Sequence, residues 1–225
     1  IGGEIEKGNR LAGLDDDFIA KLSEFVRNGG GLVIACGDKV KESVDQVEVA
    51  DQGGARKWEP RSAYNRVFGS GGAKLLPFDF KGVQETSELN PYSLAPETVA
   101  APSFVDRFRE APFPDVLRLV AIHQLMDVDE SNPQGRVLIR TTGVDRPFLA
   151  SRVVGEGEVI LVTTSLDESW GKFPSEARAF VPFPRDLTAP LPSRRVPGET
   201  ATAGNPLVWI SPEGNRVEYE LVKPK

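Results

Sequence analysis

LDDDFIAKLSEFVRNGGGLVIACGD, Leu14 to Asp38, carries three local signals in one short run. Asp15, Asp16 and Asp17 put negative charge where a helix begins, which capping and the helix dipole both favour. Phe18, Leu22, Phe25 and Val26 recur at i, i+4, i+7 and i+8 and predict an amphipathic helix with those four side chains facing a core. Asn28 and Gly29 end it, because glycine accepts the left-handed conformation that a helix stop commonly needs. Leu32 to Ala35 is then continuously apolar, as expected of a strand covered on both faces. Helix, tight turn and buried strand make half of a βαβ unit and predict an α/β sheet with helices on both faces. The strand that should come first is reduced to Ile5 and its polar surroundings, so the sheet is expected to be incomplete.

The whole chain, 225 residues, has room for one large α/β domain and a small appendage. A net charge of −6 argues against a nucleic-acid face, and the nearest basic cluster, Arg194-Arg195, is too short to make one. No apolar run approaches the roughly 20 residues of a membrane span, and no signal-like segment opens the chain. It starts at Ile1 rather than Met and is expected to be part of a longer protein. One cysteine and one histidine rule out a disulfide framework and a structural zinc site, so neither a metal nor a cofactor is expected.

Downstream, Val40 to Val49 reads as a short helix or strand, and Gly53-Gly54 as a turn. Tyr64 to Phe68 predicts a helical turn. A long irregular excursion is expected from Leu75 to Pro102, and a short helix over Pro102 to Glu110. Strands are predicted at Val116–Leu125, Arg136–Thr141, Pro147–Val154 and Glu158–Thr163. Gly155-Glu156-Gly157 turns the last two into a hairpin. Phe180 to Leu191 predicts a short helix interrupted by prolines. The α/β domain is placed at residues 1–192. A linker and a β-hairpin from an adjoining β-module follow at 193–225, where Leu207 and Trp209 alternate against Val217, Tyr219 and Leu221.

Cys36 ends its strand where an α/β nucleophile would stand, and the sole histidine, His123, is its only available base. Class I glutamine amidotransferases place such a cysteine in a G-x-C-x-G elbow and follow the histidine with glutamate two residues on. Ile34-Ala35-Cys36-Gly37-Asp38 lacks the first glycine, and Leu125 occupies the glutamate position. The pattern is thus incomplete: no catalytic residue is expected, and Cys36 and His123 are the candidates that would have to serve. Gly69-Ser70-Gly71-Gly72-Ala73-Lys74 superficially suggests a phosphate cradle, but Leu75 stands where a P-loop needs Ser or Thr. Asp127, Asp129 and Glu130 read as a solvated acidic turn. Thr163, Thr164, Ser165, Asp167, Glu168 and Trp170 follow the second buried strand. If that strand lies parallel to Leu32–Ala35, both ends line one crevice, because ligands in open α/β sheets settle beyond the carboxyl ends of strands. Gly37, Asp38, Thr164, Ser165 and Asp167 are then the ligand-binding candidates. The alternative is a capped turn in which Ser165 or Asp167 satisfies backbone amides while Trp170 packs underneath.

FVRNGGGLVIACGD, YNRVFGSGGAKLLP and GEGEVILVTTSLDESWGKFP with FVPF resemble the glutamine-amidotransferase-like, flavodoxin-like domain of large membrane-anchored bacterial proteins. Those proteins combine an aerotolerance-regulator-type membrane segment with von Willebrand factor A-like modules and are common in planctomycetes. The resemblance spans roughly residues 10 to 190, with the tail similar to the β-module that follows. It implies a degenerate amidotransferase-like fold without the catalytic triad, displayed in the bacterial cell envelope through a membrane-anchored parent. The expected role is interaction or scaffolding with protein partners or other domains of the parent chain. A cysteine-dependent amidotransferase or hydrolase, and a small-ligand sensor at the strand ends, are the competing expectations.

Overall fold

The computed structural model describes residues 5–6, 10–11, 14–41, 44–50, 56–188, 207–210 and 216–219. The predicted turn at Gly53-Gly54 and the linker after residue 192 lie outside the described residues. In chain order, β1 (Ile5–Glu6) and β2 (Arg10–Leu11) form a short antiparallel pair. The helix α1 (Asp16–Arg27) leads to β3 (Gly31–Ala35) and the single turn α2 (Asp38–Lys41). Then come the antiparallel pair β4 (Val44–Ala50) and β5 (Arg56–Ser62), and α3 (Ala63–Val67). β6 (Asp79–Glu85), β7 (Leu94–Ala95), α4 (Phe113–Leu119) and β8 (Gln124–Asp129) precede β9 (Arg136–Thr141), β10 (Pro147–Val154) and β11 (Gly157–Val162). Two short helices, α5 (Ala177–Phe180) and α6 (Pro182–Thr188), and an antiparallel pair, β12 (Leu207–Ile210) with β13 (Arg216–Tyr219), complete the set.

A five-stranded mixed sheet, ordered β3-β11-β10-β9-β7, organises the molecule. β3 and β11 are parallel, in register from Gly31 opposite Glu158 to Ala35 opposite Val162. The other neighbours are antiparallel. β3, at one edge of the sheet, and its neighbour β11 direct alternate residues to opposite faces. Leu32, Ile34, Val159 and Leu161 enter one core beneath α1, α3 and the antiparallel β6–β8 pair. Ile160 and Val162 enter a second core with Val116 and Leu117 of α4 and Phe173, Phe183 and Leu187, and Val33 and Ala35 pack against it. Helices therefore cover both faces. The apolar run at Leu32–Ala35 is buried on one face, through Leu32 and Ile34, and half-buried on the other, through Val33 and Ala35, as its place at the sheet edge allows.

The helix signals at its start and stop hold in detail. Asp15 caps α1, its carboxylate accepting from Phe18 N at 2.7 Å, and Gly29 takes a φ of +97°. The buried stripe of α1 differs from the predicted one. Val26 is fully buried, and Leu14, Ile19 and Leu22 pack with it against the core, whereas Phe18 and Phe25 are 41% and 56% exposed. The apolar residues span a wider arc than one contact line needs, and the sheet selects Ile19, Leu22 and Val26, at i, i+3 and i+7.

Four further expectations are corrected. Val116–Leu125 is no strand: α4 occupies its first part, with proline in its first turn and Val116, Leu117 and Val120 buried at helical spacing, and β8 begins only at Gln124. Leu75–Pro102 is not irregular throughout. It contributes β6, whose partner β8 is remote in sequence, so no local turn signal announces the pairing. Within Pro102–Glu110 the helix is a short 3-10 turn, Asp106–Arg109. Asp127, Asp129 and Glu130 are not a free acidic turn either. Arg146 reaches Asp127 at 3.1 Å, Lys81 reaches Asp129 at 3.4 Å, and Arg140 pairs with Glu130.

Gly155 and Gly157 flank the β10–β11 turn for a steric reason. Gly155 sits at φ +64°, and a Cβ there would stand 2.5 Å from Arg27 O. At Gly157 it would meet Val26 O at 2.0 Å and Gly30 O at 2.2 Å. The turn presses directly on the end of α1, where Glu156 N donates to Arg27 O at 2.9 Å.

Candidate functional site: the strand-end junction

The parallel register of β3 and β11 brings their carboxyl ends side by side. Cys36 N continues the ladder to Val162 O at 2.9 Å. Beyond it, Gly37 O accepts from Val40 N and Lys41 N at 2.9 and 3.0 Å, which turns the chain into α2. On the neighbouring strand end, Thr163 Oγ1 donates to Pro147 O at 2.7 Å and Thr164 Oγ1 to Gln124 O at 3.0 Å. Ser165 Oγ donates to Asp167 O at 3.0 Å and accepts from Trp170 N at 3.1 Å. Asp167 Oδ1 accepts from Ser169 N at 2.9 Å. The Ser169 hydroxyl, then its amide, hold the Asp167 carboxyl below the ordinary carboxylate range.

Gly37, Asp38, Thr164, Ser165 and Asp167 thus belong to one junction, as the parallel-strand reading predicts. A Cβ on Gly37 would lie 3.9 Å from that of Ser165. Trp170 spans the junction: its side chain is fully buried, and its indole Nε1 donates to Asp38 Oδ1 at 2.8 Å. Ser165 and Asp167 satisfy local amides while Trp170 packs underneath, so the hydroxyls and carboxylates here already have protein partners.

Cys36 is 3% exposed, and burial pushes its thiol well above the ordinary range, away from the thiolate that attacks electrophiles. His123 joins the junction through its backbone, donating from N to Trp170 O at 2.8 Å. Its Nδ1 is buried without a hydrogen-bond partner. Among the described residues, no three of His, Cys, Asp and Glu converge as a metal site.

The Gly69–Lys74 loop holds an anion of the chain's own. Ser70 N donates to Asp79 Oδ1 at 2.9 Å, and the Ser70 hydroxyl bonds the same carboxylate. Three cavities have linings that include none of the junction residues. One of about 410 Å3 lies between α1 and α3, and another of about 540 Å3 is lined by Ser70, Asp79, Asp129, Asn132 and Arg152 among others. A third, of about 490 Å3, is lined by Arg107, Phe113, Arg178, Val181, Pro182 and Arg185. The sequence reading did not single out this last group. Its available signal was the interleaving of Arg178 and Arg185 with Phe180, Val181 and Pro182. No described helix is long and apolar enough to cross a membrane.

No family model matches the chain, and no curated protein matches it. Among solved structures, it is similar to two cytoplasmic proteins of Salmonella typhimurium. One, from strain LT2, has 15% identity and a TM-score of 0.47, with 78% of this chain and 58% of that one covered. The other has 16% identity and a TM-score of 0.48, covering 79% of this chain and 59% of that one. A β-galactosidase from Rahnella is similar at 11% identity and a TM-score of 0.45, covering 87% of this chain and 24% of the enzyme. The chain therefore spans under two thirds of each of these proteins.

Proposed function

We propose that this chain is a non-catalytic α/β domain that serves interaction or scaffolding within a larger bacterial envelope protein, a degenerate relative of the flavodoxin-like, amidotransferase-like domains it resembles. Trp170 carries the reading. It fills the strand-end junction and engages Asp38, where an amidotransferase would need an open elbow for its substrate. The burial of Cys36 supports the same reading, since a nucleophile requires both a thiolate and access. On this reading the partners are proteins or other domains of the parent chain.

A cysteine-dependent hydrolase is the second reading, favoured by one observation: the buried, unpartnered Nδ1 of His123. It requires Trp170 to leave the junction. Glutamine hydrolysis by the purified protein, compared with its Cys36→Ala variant, separates the two. The interaction reading expects no Cys36-dependent turnover, and a thiol that reacts with a disulfide reagent only after denaturation. Turnover abolished by Cys36→Ala, or native labelling at the rate of a free thiol, overturns it.

A further inference from the structure

At the arginine cleft, the cavity lined by Arg107, Arg178 and Arg185, the buried Asp186 meets the charge of Arg107 at 3.1 Å. The cavity of about 540 Å3 beside the Gly69–Lys74 loop differs in this respect. Lys74 and Arg152 line it, and among the described residues neither forms an ion pair. Arg152 Nη1 donates to Leu76 O at 3.1 Å and Nη2 to Gln134 Oε1, both uncharged acceptors. Its Nε is buried without a hydrogen-bond partner. Burial, then the nearby charge of Arg27, depress the guanidinium below its ordinary range, and Asp79 opposes them. Arg27 reaches only the carbonyl of Ala73, next to Lys74, and the Ser23 hydroxyl. The carboxylates of the lining are engaged: Asp129 pairs with Lys81 at 3.4 Å, and both Asp79 oxygens accept from Ser70. Against Lys74, Arg152 and Arg27 there stands only the charge of Asp79, so positive charge is in surplus here, in a chain whose net charge is −6.

The walls of this cavity are held in place. Asn132 Nδ2 donates to Pro77 O at 2.8 Å and Gln134 N to Asn132 Oδ1 at 3.1 Å, which fixes the loop between β8 and β9. Gln134 turns its carbonyl oxygen to Arg152, so its amide NH2 is left to donate. Lys74 takes a φ of +57°, and its N donates to Gly69 O at 3.2 Å. Small-molecule sites occupy roughly 300–1,000 Å3, and this cavity falls within that range. Its lining is mostly polar, so charge and hydrogen bonds rather than apolar burial would hold an occupant. Guanidinium and ammonium groups recognise carboxylates and phosphates through charge-assisted hydrogen bonds. We propose that this cavity binds a small oxyanion, a carboxylate or a phosphate monoester, held by Lys74 and Arg152 with the Gln134 amide as a further donor. The inference goes beyond the interaction reading and does not depend on it.

The test titrates the purified chain with inorganic phosphate, with citrate and with glucose. Proton–nitrogen correlation NMR follows the backbone amides of Ser70 and Gln134 and the Nε–H of Arg152. At least one of the two anions is expected to shift these signals saturably, with a Kd of about 1 mM or tighter, while glucose leaves them in place. Saturation by phosphate alone assigns the site to phosphate esters, and by citrate alone to carboxylates. Lys74→Gln is expected to weaken binding about tenfold, and Arg152→Gln by more. Raising salt from about 50 to about 300 mM is expected to weaken it as well. No saturation by either anion below about 20 mM overturns the proposal. So does equal binding by the parent and Lys74→Gln, or a response to glucose as strong as that to the anions. Lys74 is exposed and has no described partner for its ammonium, so its variant decides the matter even where Arg152→Gln fails to fold.

Discussion

The strand-end junction and the arginine cleft are opposites in construction. At the junction, Ser165, Asp167, Asp38 and Thr164 spend their hydrogen bonds on the protein itself, and Trp170 closes the space between them. At the cleft, Asp186 holds one nitrogen of Arg107, whose side chain stays 41% exposed, and Val181 is 71% exposed. The first region has the position of an active site and the chemistry of a core. The second leaves apolar and cationic side chains at the surface. Position in a fold indicates where a site can be, and satisfied or unsatisfied groups indicate whether one is there.

The contrast predicts that substitutions at the junction act on stability and those at the cleft do not. Trp170→Ala removes the fully buried plug and its bond to Asp38, and is expected to cost about 3–5 kcal/mol in denaturant unfolding. A loss below about 1 kcal/mol, in the range of a surface change, would show that the junction is not packed as described. Cys36→Ser places a hydroxyl in an apolar, buried position and is expected to cost about 1–3 kcal/mol in the same measurement. Asp15→Ala removes the α1 cap and is expected to cost about 1 kcal/mol.

A smaller effect concerns acid. The Asp167 carboxyl is held low in the folded state, so it contributes stability that is present above its unfolded pKa and lost as pH falls through its folded pKa. Ser169→Ala removes the largest cause of that shift. Carboxyl titration by NMR is expected to move Asp167 up toward the ordinary range, and the acid limb of the stability profile to flatten. An unmoved titration would mean that the Ser169 bonds are not formed in solution. The smallest effect is expected at the cleft, where Arg178→Glu should leave unfolding within about 0.5 kcal/mol of the parent. A larger loss would make Arg178 a structural residue and remove the contrast.

Legibility in the sequence followed range. Asp15, Asn28-Gly29 and Leu32–Ala35 announce α1, its stop and β3 because capping, left-handed glycine and an apolar run are written in neighbouring residues. The hairpin at Gly155–Gly157 was legible for the same reason. Which residues of α1 face the sheet was not, since Phe18 and Phe25 are as apolar as Ile19 and Leu22 and only the partner surface chooses. β6 escaped notice because its pairing with β8 leaves no turn beside it. The meeting of Gly37 and Asp38 with Thr164, Ser165 and Asp167 follows from strand-end position if β3 and β11 are parallel, as they are. The indole of Trp170 on Asp38 could not, as the two residues are 132 positions apart and neither is unusual in its own surroundings.

Hairpin tips are ordinarily the places where a chain accepts insertions with least harm. The tip at Gly155–Gly157 is an exception, because carbonyls at the end of α1 occupy the volume that a single methyl group would need. A tag, a loop extension or even one alanine at Gly157 would push the helix off the sheet edge. In this molecule the turn with the most generic sequence is among the least permissive sites for engineering.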